Sequence, residues 1–390
     1  MEIIYLTARN VPSLGEGNSA CFEPGLDEIG INYRHLYDYR TASSTAQSED
    51  ALDDLEGLLD EADDKAILDL FTGIDRGWFS SAVIDLVECD RLMAQVIEQE
   101  TPDIVLGLHE ANFWIKLMAR RAALAAVPAL TFQEGHYHCS ETDRAKYRVM
   151  AEFSDVALWG EAAREAITAE APDAAGCLWP IGDLCVERLL SAGSPESLEL
   201  CRSAREQLGL DVEQALVLLL LPNPYASYAE AIPLRLIADY LAGLEIGGKS
   251  VRLVAKWHPR ESFEVIKGFR DLEFSGRMVS VVQGVAREWL LACDVALVLD
   301  SSAGLDALVL GKPLAEINFS SVCYGRSYAE EGVAEPIAGE ADLPRLETLL
   351  RGEGRGWTEP ARNDYLKRIY SAVGDDACKG MLELVRRLVP

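Results

Sequence analysis

The sequence predicts an α/β protein of two doubly wound, parallel-sheet domains that face a central cleft. Three observations lead there. At 390 residues the chain is too long for one ordinary core, so two domains are expected. Strand patterns alternate with helical ones at the spacing of βα units, over 1–190 and again over 191–362. The longest apolar run, Ala215-Leu-Val-Leu-Leu-Leu-Leu-Pro222, has no polar alternation and reads as a strand buried on both faces.

In the first half, strand patterns occupy 3–7, 33–37, 104–108, 129–132 and 156–159. Helical patterns occupy 78–97, 113–125, 142–152 and 161–170, while the acidic stretch 48–65 reads as a solvated face or an insertion. Leu178-Trp-Pro-Ile-Gly-Asp183 is a strand-to-turn signal, and Ser191-Ala-Gly-Ser-Pro-Glu196 is the best linker candidate. Strands are then predicted over 216–221, 252–256, 278–282, 295–299 and 314–317. Helices alternate with them over 228–244, 262–269, 286–292 and 302–310, and amphipathic segments at 343–350 and 363–388 close the chain.

Composition narrows the function. The 49% hydrophobic and 26% charged fractions are those of a globular protein. No apolar run approaches the roughly 20 residues that span a bilayer, and the strand-like start without a basic region does not suggest a signal peptide. Nine scattered cysteines, without a Cys-x-x-Cys pair, suit free thiols in a reducing cytosol, so a cytoplasmic location is expected. A formal charge of −28 argues against nucleic acid as a partner, although a helix start can still hold one phosphate.

Chemistry-bearing residues gather at predicted strand ends. Of five histidines, His109, His136, His138 and His258 follow strands; His35 lies within one. Ligands of open α/β sheets bind at those carboxyl ends. Glu110 and Glu134 would project from βα loops of the first half, placed for general-base work or simply for capping the next helix. In the second half, Asp300-Ser301-Ser302 opens a helix, offering hydroxyls and free backbone N–H groups to an anion or else plain N-capping. Asp306 lies four residues on, placed to accept from a ribose hydroxyl or to remain a solvated helix residue. No Gly-x-x-x-x-Gly-Lys-Ser/Thr, Gly-x-Gly-x-x-Gly or His-Glu-x-x-His motif is present, so no bound cofactor and no metal are expected.

With these motifs the chain, over about 102–319, resembles the GT-B superfamily, whose members have two Rossmann-like domains around a cleft. Val251-Arg-Leu-Val-Ala-Lys-Trp-His-Pro259 is similar to the strand-His-Pro element of bacterial surface-polysaccharide glycosyltransferases. That group includes sialyl- and Kdo-transferases and the CDP-glycerol glycerophosphotransferases. The stretch 300–313 resembles their Ser-x-x-x-Glu-Ala-x-x-x-Gly-Lys-Pro segment. The resemblance implies that His258, Pro259, Ser301 and Ser302 hold the nucleotide phosphate, with Asp306 at the ribose. It also implies that the last helix, within 363–390, packs back on the first domain. His109-Glu-Ala111 and Phe132-Gln-Glu-Gly135 parallel motifs of UDP-N-acetylglucosamine 2-epimerase, which would make Glu110, Glu134 and Glu141 acid–base carboxylates. Yet Pro222-Asn-Pro-Tyr-Ala-Ser227 stands where that enzyme has His-Arg-Arg-Glu-Asn, and Asp300-Ser-Ser-Ala303 replaces its Asp-Ser-Gly-Gly.

The implied activity is a metal-independent glycosyltransferase using a CMP-, CDP- or UDP-linked sugar in surface-polysaccharide or glycoconjugate synthesis. Its acceptor would be a glycan, a lipid-linked molecule or a protein, with peripheral membrane contact in the lipid case. The catalytic base would be Glu134, Glu110 or His136. The alternatives are a 2-epimerase, a CDP-polyol phosphotransferase and a non-catalytic nucleotide-sugar binder.

Overall fold

A computed structural model describes residues 90–107, 113–133, 154–183, 195–210, 214–222, 225–258 and, with short omissions, 261–389, together with strands Glu2–Leu6 and Asn32–His35. The predicted helix 142–152 and the acidic stretch 48–65 lie outside these residues.

Among the described residues the first sheet has six strands, all parallel, in the order β2-β1-β3-β4-β5-β6. Its strands are β1 (Glu2–Leu6), β2 (Asn32–His35), β3 (Ile104–Gly107), β4 (Ala129–Phe132), β5 (Asp155–Leu158) and β6 (Leu178–Pro180). Pro180 is tolerated in a strand because β6 is the sheet's last, where one side needs no ladder donor. Helices lie over 90–100 (α1), Phe113–Leu124 (α2) and Glu161–Glu170 (α3). Strand side chains divide between two layers with period two. Val105, Val156 and Leu158 face α1–α3, while Ile104, Leu106, Leu130, Phe132 and Ala157 face the last helix of the chain.

The second sheet has the order β10-β9-β7-β11-β12-β13, also parallel. These strands are β7 (Ala215–Leu220), β9 (Lys249–Lys256), β10 (Met278–Val281), β11 (Val295–Val298), β12 (Leu314–Ile317) and β13 (Glu335–Ile337). A short β8 (Glu245–Ile246) folds back on β9 through Gly247-Gly248, a hairpin and the one antiparallel pairing among the described residues. Helices α4 (Pro195–Gln207), α5 (Leu234–Ala242), α6 (Phe263–Lys267), α7 (Ala286–Ala292), α8 (Ala303–Val309) and α9 (Pro344–Leu350) surround it. Leu216, Leu218, Leu220, Val254 and Val298 share one core with residues of α4, α7 and α8. Val217, Leu219, Leu253, Ala255 and Leu297 share the other with α5 and α9. Full burial on both faces is why these strands read as unbroken apolar runs.

Three expectations are corrected. The helix predicted over 228–244 is a 3-10 turn at Tyr225–Tyr228 followed by α5, which starts only at Leu234. A helix running through from 228 would need the N–H that Pro233 lacks. The linker candidate at 191–196 ends inside α4, whose first residue is Pro195, a favoured helix start. The single amphipathic pattern at 363–388 is two helices, α10 (Glu359–Ile369) and α11 (Asp375–Leu388). Between them the chain runs extended along the first domain. The Ser371 N–H donates to the Trp159 carbonyl (2.8 Å), and the Asp183 N–H donates to the Ala372 carbonyl (3.1 Å). A Cβ at Gly160 would sit 2.3 Å from the Ile369 oxygen, and one at Gly182 (φ +108°) would sit 2.2 Å from the Ala372 oxygen. Beyond this seam, Ala377, Met381, Leu384 and Val385 of α11 cover the first sheet. No helix among the described residues is long and apolar enough to cross a membrane.

Candidate functional site

The register of the second sheet sets the site. Lys256, Leu220 and Val298 lie in one row across β9, β7 and β11. Two residues further on come His258 and Asp300, at the carboxyl edge, separated by two strand spacings or roughly 10 Å.

His258 is half-buried, and its backbone is held from below and from behind. The Trp257 N–H continues the ladder to the Val281 carbonyl at 2.8 Å. The Trp257 ring is fully buried between Tyr225 and Phe269, with centroids 5.4 and 5.2 Å away. The Glu261 N–H donates to the His258 carbonyl (2.9 Å), and the Glu261 carboxylate accepts from the Tyr225 and Ser262 N–H groups.

The Ser-Ser turn is clamped from two sides. Asp300 has φ +49°, a left-handed conformation that aspartate tolerates better than most residues, and its carboxylate accepts from the Tyr228 phenol at 2.9 Å. The Ser301 carbonyl accepts from the Tyr328 phenol at 2.9 Å. Tyr328 is 1% exposed and its ring fills the space over Gly304, where a Cβ would lie 2.7 Å from the ring. Plain N-capping does not describe the serines. Ser302 is exposed, has helical φ and ψ, and makes no side-chain cap bond, while the Ser301 hydroxyl accepts from the Ala303 N–H only at 3.4 Å. The backbone N–H groups expected to be free are not: those of Gly304 and Leu305 donate to the Ser301 and Ser302 carbonyls (3.0 and 2.9 Å), as 3-10-like bonds that tighten the turn. The arrangement leaves the two serine hydroxyls at the sheet edge as donors suited to an anion.

Asp306 is half-buried on α8. Burial first, and then charges that include Asp306, hold the Tyr328 and Tyr370 phenols well above the ordinary tyrosine range. Glu316, on β12, is buried and accepts from the Ser327 hydroxyl (2.6 Å) and the Ala329 N–H (2.7 Å), which anchors the turn carrying Tyr328. Burial pushes its carboxyl up, and the hydrogen bonds from Ser327 and Ala329 oppose that shift.

Of the residues singled out in the sequence, His258, Ser301, Ser302 and Asp306 stand at or just behind one sheet edge. Glu110, Glu134, His136 and Pro259 lie outside the described residues. Tyr228, Tyr328, Glu316 and Lys256 escaped sequence reasoning. A lone charged residue inside an apolar strand was the signal for Glu316, and a lysine closing the apolar run Leu253-Val-Ala255 was the signal for Lys256.

No protein-family model matches the chain, and no curated protein matches it in sequence. Solved structures do match in fold. The UDP-GlcNAc 2-epimerase from Neisseria meningitidis, bound to UDP-GlcNAc, is 14% identical with a TM-score of 0.60, over 99% of this chain and 100% of that one. Anabaena Alr3699/HepE in complex with UDP is 13% identical, TM-score 0.52, over 100% and 99%. A glycosyltransferase from Rickettsia africae is 9% identical, TM-score 0.54, over 99% and 98%. At such identities the likeness is one of architecture, and the chain has the GT-B-like fold of two Rossmann-like domains that these proteins share.

Proposed function

We propose that this chain is a metal-independent glycosyltransferase that takes its sugar from a nucleotide-activated donor. The observation that carries the reading is the turn at Ser301-Ser302, whose hydroxyls are presented at the sheet edge that His258 also reaches, two residues past β9. His258, Ser301, Ser302 and Pro259 would receive the donor's phosphates, and Asp306 its ribose. As the glycosidic bond to phosphate breaks, donors on His258, Ser301 and Ser302 would stabilise the growing negative charge, typically the largest catalytic term. Glu134, or else Glu110 or His136, would take the proton of the acceptor hydroxyl as it attacks the anomeric carbon. The acceptor would be a glycan, a lipid-linked molecule or a protein. The fold neighbours crystallised with UDP, UDP-glucose and UDP-GlcNAc make uridine the first base to try, ahead of CMP and CDP. The proposed setting is surface-polysaccharide or glycoconjugate synthesis in the cytoplasm, at the inner membrane face if the acceptor is lipid-linked.

The test is a thermal-shift screen with CMP, CDP, UDP, GDP and dTDP on the wild type and His258→Ala. A nucleotide at 100 times its Kd adds about 2.7 kcal/mol, enough for a clear shift. One nucleotide should stabilise the wild type and fail with the variant; no shift with any of them would overturn the reading. A second reading, 2-epimerisation, is favoured by the end-to-end match to UDP-GlcNAc 2-epimerases. It predicts isomerised nucleotide sugar without any acceptor, whereas a transferase leaves its donor intact until an acceptor is supplied.

A further inference from the structure

We infer that Lys256 is an anion-binding residue of this site, its ammonium kept for the donor's phosphates; this rests on the nucleotide-sugar reading above. Lys256 ends the central strand β9 and is 5% exposed. Its row partners Leu220, Val281 and Val298 all belong to one apolar core. An ammonium has three N–H donors. Here one hydrogen bond is made, to the Trp257 carbonyl at 3.1 Å, and among the described residues no carboxylate pairs with the charge.

Two other cations of this domain, the buried Arg205 and the half-buried Lys312, are treated differently. Arg205, 6% exposed, spends its guanidinium on the Ala292 carbonyl (3.0 Å), the Gln214 carbonyl (2.8 Å) and the Asp294 carboxylate (3.2 Å). Lys312 donates to two carbonyls, those of Leu291 (2.9 Å) and Cys293 (2.7 Å). Those cations hold structure together. Lys256 has donors left over, in apolar surroundings where an uncompensated charge is costly. Burial accordingly holds its ammonium below the usual lysine range.

What would compensate it must come from outside and carry negative charge. Lys256 lies two residues before His258, on the same face of an alternating strand, just beneath the carboxyl edge where ligands of such sheets bind. A phosphate entering between His258 and the Ser301 turn approaches this ammonium from the open end of the strand. In a transferase, the cation would then offset the charge that builds on the leaving phosphate.

The test measures binding of UDP and of inorganic pyrophosphate, together with ligand-free stability, for the wild type, Lys256→Met and Lys256→Gln. Methionine keeps the stem without the charge; glutamine keeps one donor for the Trp257 carbonyl. Both variants should be at least as stable as the wild type without ligand, and should bind both anions at least tenfold more weakly. Unchanged anion affinity in either folded variant would overturn the assignment and leave the nucleotide site standing. Wild type that binds pyrophosphate but no nucleotide would overturn the nucleotide reading alone, and the variants' pyrophosphate affinity then decides Lys256. Wild type that binds neither would overturn both.

Discussion

Gly304→Ala tests whether the Ser301 turn is held by Tyr328. The new methyl would stand 2.7 Å from Cζ, 2.8 Å from Cε2 and 3.0 Å from the phenol oxygen of Tyr328. Ordinary contact begins near 3.4 Å, so the ring must retreat by about 0.7 Å. It has little room, being 1% exposed and packed edge-on to Tyr365 with ring centroids 6.2 Å apart. Overpacking of this kind costs about 1–3 kcal/mol. Displacing the phenol from the Ser301 carbonyl loses about 1 kcal/mol more. The higher helix propensity of alanine returns about 1 kcal/mol at most, because Gly304 is only the second residue of α8. The net expectation is a loss of about 1–3 kcal/mol, or roughly 2–4 °C in Tm for each kcal/mol in a unit of this size. Tyr328→Phe keeps the ring and should lose only the hydrogen bond, about 1 kcal/mol. Thermal unfolding of the two variants, with UDP titrated into each, separates clash from hydrogen bond. Gly304→Ala unfolding at or above the wild-type temperature would refute the argument, since propensity would then outweigh the clash.

Gly160→Ala should destabilise more than Gly304→Ala, because its Cβ meets backbone, the Ile369 carbonyl at 2.3 Å, rather than the end of a side chain. Limited proteolysis should then cut near 370–374, and an unchanged digestion pattern would show that the seam yields without opening. The third prediction concerns pH. Burial lowers the Lys256 pKa from 10.5, so above its folded value the unfolded chain binds more protons than the folded one. Ligand-free wild type should therefore gain stability relative to Lys256→Met as pH rises toward 10.5, read as the difference between their denaturation midpoints at each pH. A difference that stays flat or falls over that window would show that burial does not penalise this ammonium.

What the sequence carried and what it hid follow from how far apart the interacting residues lie. The sheet core was legible because every residue of β7 from Leu216 to Leu220 is apolar, and only burial on both faces tolerates such a run. Register along one strand was legible too, so His258 could be placed at a strand end. Pro233 was a local breaker that the apolar pattern around it masked, and the split between α10 and α11 depends on glycines about 190 to 210 positions earlier in the chain. The serine turn is the instructive case. Read locally, Ser-Ser before an apolar helix is an N-cap as much as an anion site. What separates the two is the conformation of Asp300 and Ser302, and that is clamped by Tyr228, 72 positions from Asp300, and Tyr328, 27 positions from Ser301. Because the clamp leaves Ser302 without a cap bond, its hydroxyl has no structural task in the turn. A hydroxyl without a structural task, at the edge where a histidine and a lysine using one of its three donors also stand, is better explained by a ligand than by folding.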